Sequence, residues 1–265
     1  MTDLIANSWA ARLRALTPAR VGLGRTGVSQ ALRDQLEFQQ AHAVARDAVH
    51  ARLEAGALAE RVREVSGGAV LRLQSMAVFG ATDRSTYLQR PDLGRQLDEA
   101  SKAILAAVVE GDGQAQRSYD LAIVIADGLS ALAVERQAAP LLHELLPKLR
   151  AWKLAPICVV EQGRVAIGDE IGAALRAELC VVLIGERPGL SAPDSLGAYI
   201  TWSPQAGRTD AERNCISNIR AEGLSYGLAA AQALFYLTEA RRRRLTGVAL
   251  KDGFGRLEED STCCN

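Results

Sequence analysis

The sequence predicts an α/β fold in which a helical N-terminal region, residues 1–100, leads into a doubly wound, mostly parallel sheet over residues 101–250. Three observations predict it. In the second half, short uninterrupted apolar runs alternate with segments of helical periodicity, the pattern of a parallel sheet covered by helices on both faces. Gly, Asp and Pro residues gather just past the end of each run, where the crevice of an open α/β sheet lies. The first half instead repeats its apolar residues at helical spacing. A chain of 265 residues, 48% apolar and 23% charged, is long enough for one large domain or two small ones and too apolar to be disordered throughout.

The elements follow in order. Leu4, Ile5, Trp9, Leu13 and Leu16 form a narrow helical stripe that ends before Thr17. After the glycine-bearing stretch 22–27, a longer pattern runs through Val28, Leu32, Leu36, Ala41, Ala45, Ala48, Val49 and Leu53, with Arg, Asp, Glu and Gln between. Alanine dominates its packed side, which permits close helix approach but buries little area, so this helix calls for a partner surface. Gly67 and Gly68 break the pattern, and residues 69–73 are the first strand candidate. Residues 121–126 (LAIVIA) are the next, followed by Asp127, Gly128 and a helix over 129–149. Residues 156–160 lead to Gln162 and Gly163, and Asp169 and Glu170 open another helix. The most apolar strand, 179–184, runs into Gly185, Pro188 and Gly189, and the strand 198–202 ends at Ser203. Residues 251–265 are expected to form a flexible tail.

Composition narrows the function. Lys plus Arg (31) equals Asp plus Glu (31), so no global charge favours nucleic acid or an anionic membrane. Aromatic residues at 5% argue against base-stacking platforms. No apolar run approaches the ~20 residues of a membrane helix, and the start lacks a signal-peptide pattern. Five cysteines in a chain of this length do not make a disulfide framework. The expectation is a soluble, intracellular protein.

Individual motifs carry less. Residues 22–27 (GLGRTG) match the dinucleotide fingerprint G-x-G-x-x-G and precede a helix, but the fingerprint needs a strand immediately before it, and 17–20 (TPAR) leaves little more than Val21 for one. A connection that helps to dock a partner is the better reading. His42, His50 and His143 are each isolated from other ligand-type residues, and no Cys-x-x-Cys is present; no metal-ligating residue is expected. Cys263 and Cys264 lie in the polar tail. No Gly-x-Ser-x-Gly elbow appears, and Asp127 and Ser130, at a strand end, read as helix caps rather than hydrolase residues. The run 241–244 (RRRR) closes a helix, where the dipole favours cations. More informative are 185–190 (GERPGL), directly after the most apolar strand, and the polar segment 208–218 around Cys215. Together they suggest a large neutral polar ligand with amide arms and apolar faces.

Several ordered strings carry a specific resemblance: 16–20 (LTPAR), 90–95 (RPDLGR), 126–131 (ADGLSA), 161–165 (EQGRV), the segment 185–204, and 213–219 (RNCISNI). Over residues 16–250 the sequence resembles the small subunit (light chain) of ethanolamine ammonia-lyase, an adenosylcobalamin-dependent family. The resemblance implies a large subunit, a TIM barrel that binds ethanolamine and carries the catalytic residues. It further implies a Rossmann-like domain on this chain that closes over adenosylcobalamin at the subunit interface, in a higher hetero-oligomer. The reaction converts ethanolamine to acetaldehyde and ammonia, initiated by homolysis of the cofactor's cobalt–carbon bond. The family's cobalamin contacts fall on Val165, Glu186 and Cys215, each expected past a strand or in a loop of the crevice. No histidine lies in an Asp-x-His-x-x-Gly string, and the family implies base-on binding, the cobalt ligated by the cofactor's own base. The helical region should dock on the large subunit. The expected location is the cytoplasm; some members enter bacterial microcompartments through a longer polar leader than this one. Two other classes remain open: a self-contained α/β enzyme that binds a nucleotide through Gly22–Gly27, and a scaffold protein without a ligand.

Overall fold

The computed structural model describes residues 2–17, 19–80, 84–111 and 119–250; the tail at 251–265, with Cys263 and Cys264, lies outside the described residues. The chain opens with helix α1 (Thr2–Leu16), a short hairpin of β1 (Arg25–Thr26) and β2 (Ser29–Gln30), and helix α2 (Leu32–His50). Helix α3 (Ala55–Ser66) follows, then strand β3 (Val70–Gln74), two short helices α4 (Met76–Gly80) and α5 (Arg84–Gln89), and α6 (Glu99–Gly111). The second half runs β4 (Tyr119–Ala126), α7 (Ala131–Leu145), β5 (Ile157–Glu161), α8 (Ile167–Ala174), β6 (Ala177–Gly185), β7 (Leu196–Trp202), β8 (Arg213–Ile219) and α9 (Tyr226–Arg243).

A mixed, mostly parallel sheet of six strands in the order β3-β5-β4-β6-β7-β8 organises the described residues. Strands β3, β5, β4 and β6 are mutually parallel, whereas β7 and β8 add as antiparallel edge strands. The chain moves two places from β3 to β4, one place back to β5, and two places on to β6. Right-handed crossovers in opposite directions put helices on opposite faces. Accordingly α7, with α3 and α9, packs on the face formed by Leu121, Ile123, Ile125, Val181 and Leu183. Helix α8 and Leu105 of α6 pack on the face formed by Ala122, Val124, Cys180 and Val182. Since β4 and β6 are buried on both faces, they read as unbroken apolar runs.

Two expectations are corrected. The pattern from Val28 to Leu53 is not one helix: Val28 sits fully exposed in the hairpin turn, α2 starts at Leu32, and the chain leaves helical geometry between His50 and Ala55. Cys215, expected past a strand or in a loop, lies within a strand. Residues 213–219 form the edge strand β8, in which Ile216 and Ile219 face the core while Cys215 and Ser217 face out. Only one face of an edge strand is covered, so its apolar signal is half that of a central strand. Within this mostly parallel sheet, β7 follows β6 without an intervening helix and runs antiparallel to it. The sheet also takes its outer strand, β3, from ahead of residue 100.

Among the described residues, the arm made by α1 from Trp9 on, the hairpin and α2 is covered little by the rest. Only Ala45 and Ala48 of α2 are buried, while Trp9, Leu16, Leu32 and Leu36 are each at least half exposed. Among the described residues no helix is long and apolar enough to cross a membrane.

Candidate functional site

The carboxyl ends of β4, β5 and β6 open into a cavity of about 850 Å³. Its wall is made by the turn after β4 (Gly128, Leu129), the loop after β5 (Arg164, Val165) and the end of β6 with its following loop (Gly185, Glu186). Tyr199 of β7 and the segment 208–210 close one side, and Arg95 lies at another edge. These loops approach one another so closely that glycine is required. A Cβ on Gly185 would overlap the carbonyl oxygen of Ser130, and Gly128 adopts φ +54° against Ile184.

Beneath the floor lies a buried polar cluster. Arg84 of α5 donates from Nη1 to Oδ2 of Asp127 at 2.6 Å and from Nη2 to the Gly128 carbonyl at 2.9 Å. Oδ1 of Asp127 accepts from the Gly163 N–H at 3.1 Å. The Tyr87 hydroxyl lies 2.9 Å from the carbonyl oxygens of both Gly128 and Gly163. The cluster therefore ties the loop ends of β4 and β5 to α5. Burial pushes the Asp127 carboxyl up to about 6 despite the facing Arg84 guanidinium, and burial beside Asp127 raises the Tyr87 hydroxyl. Asp127 is thus no helix cap, as its carboxylate is taken by Arg84 and Gly163. Ser130 is: its hydroxyl accepts from the Ala133 N–H at 3.2 Å and heads α7.

The structure brings Val165 and Glu186 to the same cavity, Val165 half-buried in the loop after β5 and Glu186 half-buried just after β6. Glu186 is held by its surroundings. Oε2 accepts from the Ser195 hydroxyl and, at 3.2 Å, from the Asn218 N–H, while Oε1 has no partner among the described residues. Cys215 does not line the cavity. It is exposed on β8, opposite Tyr199 in register, with its sulfur 3.2 Å from the Ser217 hydroxyl. Tyr199 links the two places, because it lines the cavity and its hydroxyl is raised by burial, by a hydrogen bond with Cys215 and by the nearby Glu186 charge. Behind Tyr199, Arg213 forms a two-pronged pair with Asp169 of α8, both contacts at 2.7 Å and both side chains buried. The same guanidinium donates to Thr201 and to the Arg208 carbonyl, so it sets the segment that closes the cavity.

Arg164 is the residue that reading the sequence passed over. Its guanidinium stacks on the Tyr87 ring, 4.5 Å from the centroid, and its buried Nε has no hydrogen-bond partner. Arg164 sits inside the string 161–165 and Arg95 inside 90–95, so the matching strings contained a signal for both. The strings also contained Tyr199, in 185–204, and Asp127, in 126–131, whereas Arg84 lies in none of them. As a whole the cavity offers a free carboxylate oxygen, cations and an apolar wall: it can bind and orient a ligand.

Other candidate motifs lie elsewhere. Residues 22–27 lead into the hairpin of β1 and β2 rather than forming a strand-to-helix turn: α2 begins only at Leu32, and the Gly24 N–H is already bound by Asp34 at 3.0 Å. Gly22 instead packs on Ala10 of α1. His42 stacks near Phe38 in α2, His50 ends that helix, and His143 is exposed beside Glu144. The arginines at 241–243 pair with carboxylates, Arg241 with Asp120 and Glu178, Arg242 and Arg243 with Glu239.

Comparison with known proteins adds the following. Residues 6–251 match the family model described as the ethanolamine ammonia-lyase light chain. The ethanolamine ammonia-lyase small subunit of Pseudomonas aeruginosa is 57% identical over 93% of this chain and 88% of its own length. The proteins of the same name from Azotobacter vinelandii and Ralstonia nicotianae are 56% and 54% identical, each over 93% of this chain and 88% of their own.

Proposed function

Because the chain belongs to the ethanolamine ammonia-lyase light chain family, we propose that it is the cofactor-clamping small subunit of a lyase that converts ethanolamine to acetaldehyde and ammonia. In this reading a large subunit, a TIM barrel, holds ethanolamine and the catalytic residues. This chain covers adenosylcobalamin at the interface between the two and acts in the cytoplasm. The observation that carries the reading is the meeting of Val165 and Glu186 at one cavity on the strand ends, with Cys215 beside the same wall through Tyr199.

The residues present fit such a cofactor. A corrinoid displays apolar faces and a fringe of amides. Val165 and Leu129 supply an apolar wall, Oε1 of Glu186 is an acceptor for an amide N–H, and Arg164 is a cation with no carboxylate partner among the described residues. An open cavity of about 850 Å³ is in the range of a small-ligand site, roughly 300–1,000 Å³, and suits one side of a macrocycle whose other side a partner covers. When bound, the cofactor supplies homolytic cobalt–carbon chemistry; this chain binds it, orients it and excludes water. The exposed apolar residues of the α1–α2 arm support docking on the large subunit. That residues 22–27 run into a hairpin rather than a helix removes the main support for a nucleotide-binding enzyme.

Absorbance spectra of adenosylcobalamin mixed with each subunit alone and with both together test the reading. The expected result is a bound spectrum and ethanolamine turnover only when both chains are present. Equal binding and equal turnover by the large chain alone overturn it.

A further inference from the structure

The cavity is bordered by more positive charge than its carboxylates take up. Glu186 is bound at Oε2 by Ser195 and Asn218, Asp210 lies 3.4 Å from Arg213, and Arg208 is paired with Glu212 at 2.5 Å. Arg95, Arg164 and Arg187 line the same cavity, and none has a carboxylate partner among the described residues. Arg164 is set apart from an ordinary surface arginine in two ways. Its guanidinium lies over the Tyr87 ring, 4.5 Å from the centroid, and the Tyr87 hydroxyl is in turn held between Gly128 and Gly163. Its Nε is buried with nothing to donate to. The other guanidinium nitrogens of Arg164 are not buried and make no hydrogen bond among the described residues, and a planar guanidinium so left matches the oxygens of a phosphate.

We infer that Arg164, flanked by Arg95 and Arg187, forms an anion subsite of this cavity that takes a phosphodiester. Resting on the cobalamin reading above, the inference assigns the subsite to the single phosphate that joins the corrin's side chain to its lower nucleotide. The rest of that cofactor's fringe is amide, so this group is the one that matches unpaired arginines. The contact would fix how the nucleotide loop is oriented while the corrin edge meets Glu186.

The test compares corrinoids with and without the phosphate on the complex of this chain with its large subunit, reading the dissociation constant by spectrophotometric titration. For Arg164→Gln and Arg187→Gln the constant for adenosylcobalamin is expected to rise about tenfold or more, the effect of losing a hydrogen bond to a charged group. The constant for adenosylcobinamide, which lacks the phosphate and nucleotide, is expected to stay at the value of the parent complex. Adenosylcobinamide phosphate, which restores the anion without the base, is expected to regain the sensitivity. Arg164→Lys keeps the charge and should lose less than Arg164→Gln. Arg187 is exposed, so its variant reports binding rather than folding. Equal weakening for the corrinoids with and without phosphate, or no weakening at all, overturns the subsite. Failure of the unsubstituted complex to bind any corrinoid overturns the cofactor reading and the subsite together, and it needs no variant to be seen.

Discussion

Oε1 of Glu186 faces its surroundings unpaired because Oε2 is anchored by two donors from two different segments, Ser195 and Asn218. Such a carboxylate is already oriented before a ligand arrives, which lowers the ordering cost of binding. For Glu186→Ala the expected outcome is a loss of ~1–3 kcal/mol in cobalamin affinity of the two-chain complex; an unchanged dissociation constant in a spectrophotometric titration counts against its role. The histidines bear on the metal. Substituting His42, His50 or His143 should leave the nitrogen hyperfine pattern of the cob(II)alamin EPR signal unchanged, since the cofactor's own base is the proposed ligand. Asp127 carries the pH dependence. Its carboxyl is raised from 3.8 to about 6 in the fold, so the folded state holds a proton that the unfolded chain has already released. Between those values the stability it contributes is lost as the pH rises. Wild-type protein should therefore lose stability relative to Asp127→Asn across that interval, measured by chemical denaturation; a constant difference would exclude the shifted carboxyl.

At the scale of elements, α8 and β8 are joined across β7 by the Asp169–Arg213 pair, whose side chains are 3% and 1% exposed. Neither charge can be left alone at that depth. Arg213→Met is expected to cost about 3–5 kcal/mol, because the penalty is an uncompensated buried carboxylate rather than the loss of one contact. Adding Asp169→Leu to it should recover much of that loss in denaturant unfolding. If the double variant is as unstable as the single one, the pair's packing rather than its charge is the reason for its place. The pair also explains a feature of the site: the segment 208–210 closes the cavity because Arg213 binds the Arg208 carbonyl at 3.0 Å while Arg208 itself holds Glu212. The carboxyl of Glu212, receiving the Thr209 N–H and Arg208, is held down to about 2.

The whole molecule has a well-covered sheet and a poorly covered arm. The sheet is packed on both faces, whereas the arm leaves Trp9 51% exposed and Leu36 54% exposed on neighbouring helices. An apolar surface of this kind marks an interaction site rather than a core. Trp9→Ser and Leu36→Ser are expected to leave the unfolding transition of the isolated chain nearly unchanged while reducing the amount of large subunit that co-purifies with it. Undiminished co-purification would place the docking surface elsewhere.

The sequence by itself determined the class of fold, the two central strands and the family. Strands β4 and β6 are buried on both sides, so their burial is written as uninterrupted apolar residues, and the strings 161–165 and 185–204 hold Val165 and Glu186, which follow β5 and β6 into one cavity. Only the tertiary structure decided the rest. Strand β8 was hidden because an edge strand shows the core one side chain in two. Asp127 and Ser130 read alike in sequence, and what separated them was Arg84, 43 residues away, reaching the first and not the second. Glu186, Tyr199 and Arg164 come from different strands and loops, and neither their pairing nor the orphaned nitrogen of Arg164 has a local signature. Contacts between residues far apart in the chain exist only once backbone pairing and helix packing have fixed the distances between them, and it is those contacts that turn a set of strand ends into a cavity with a charge and a shape.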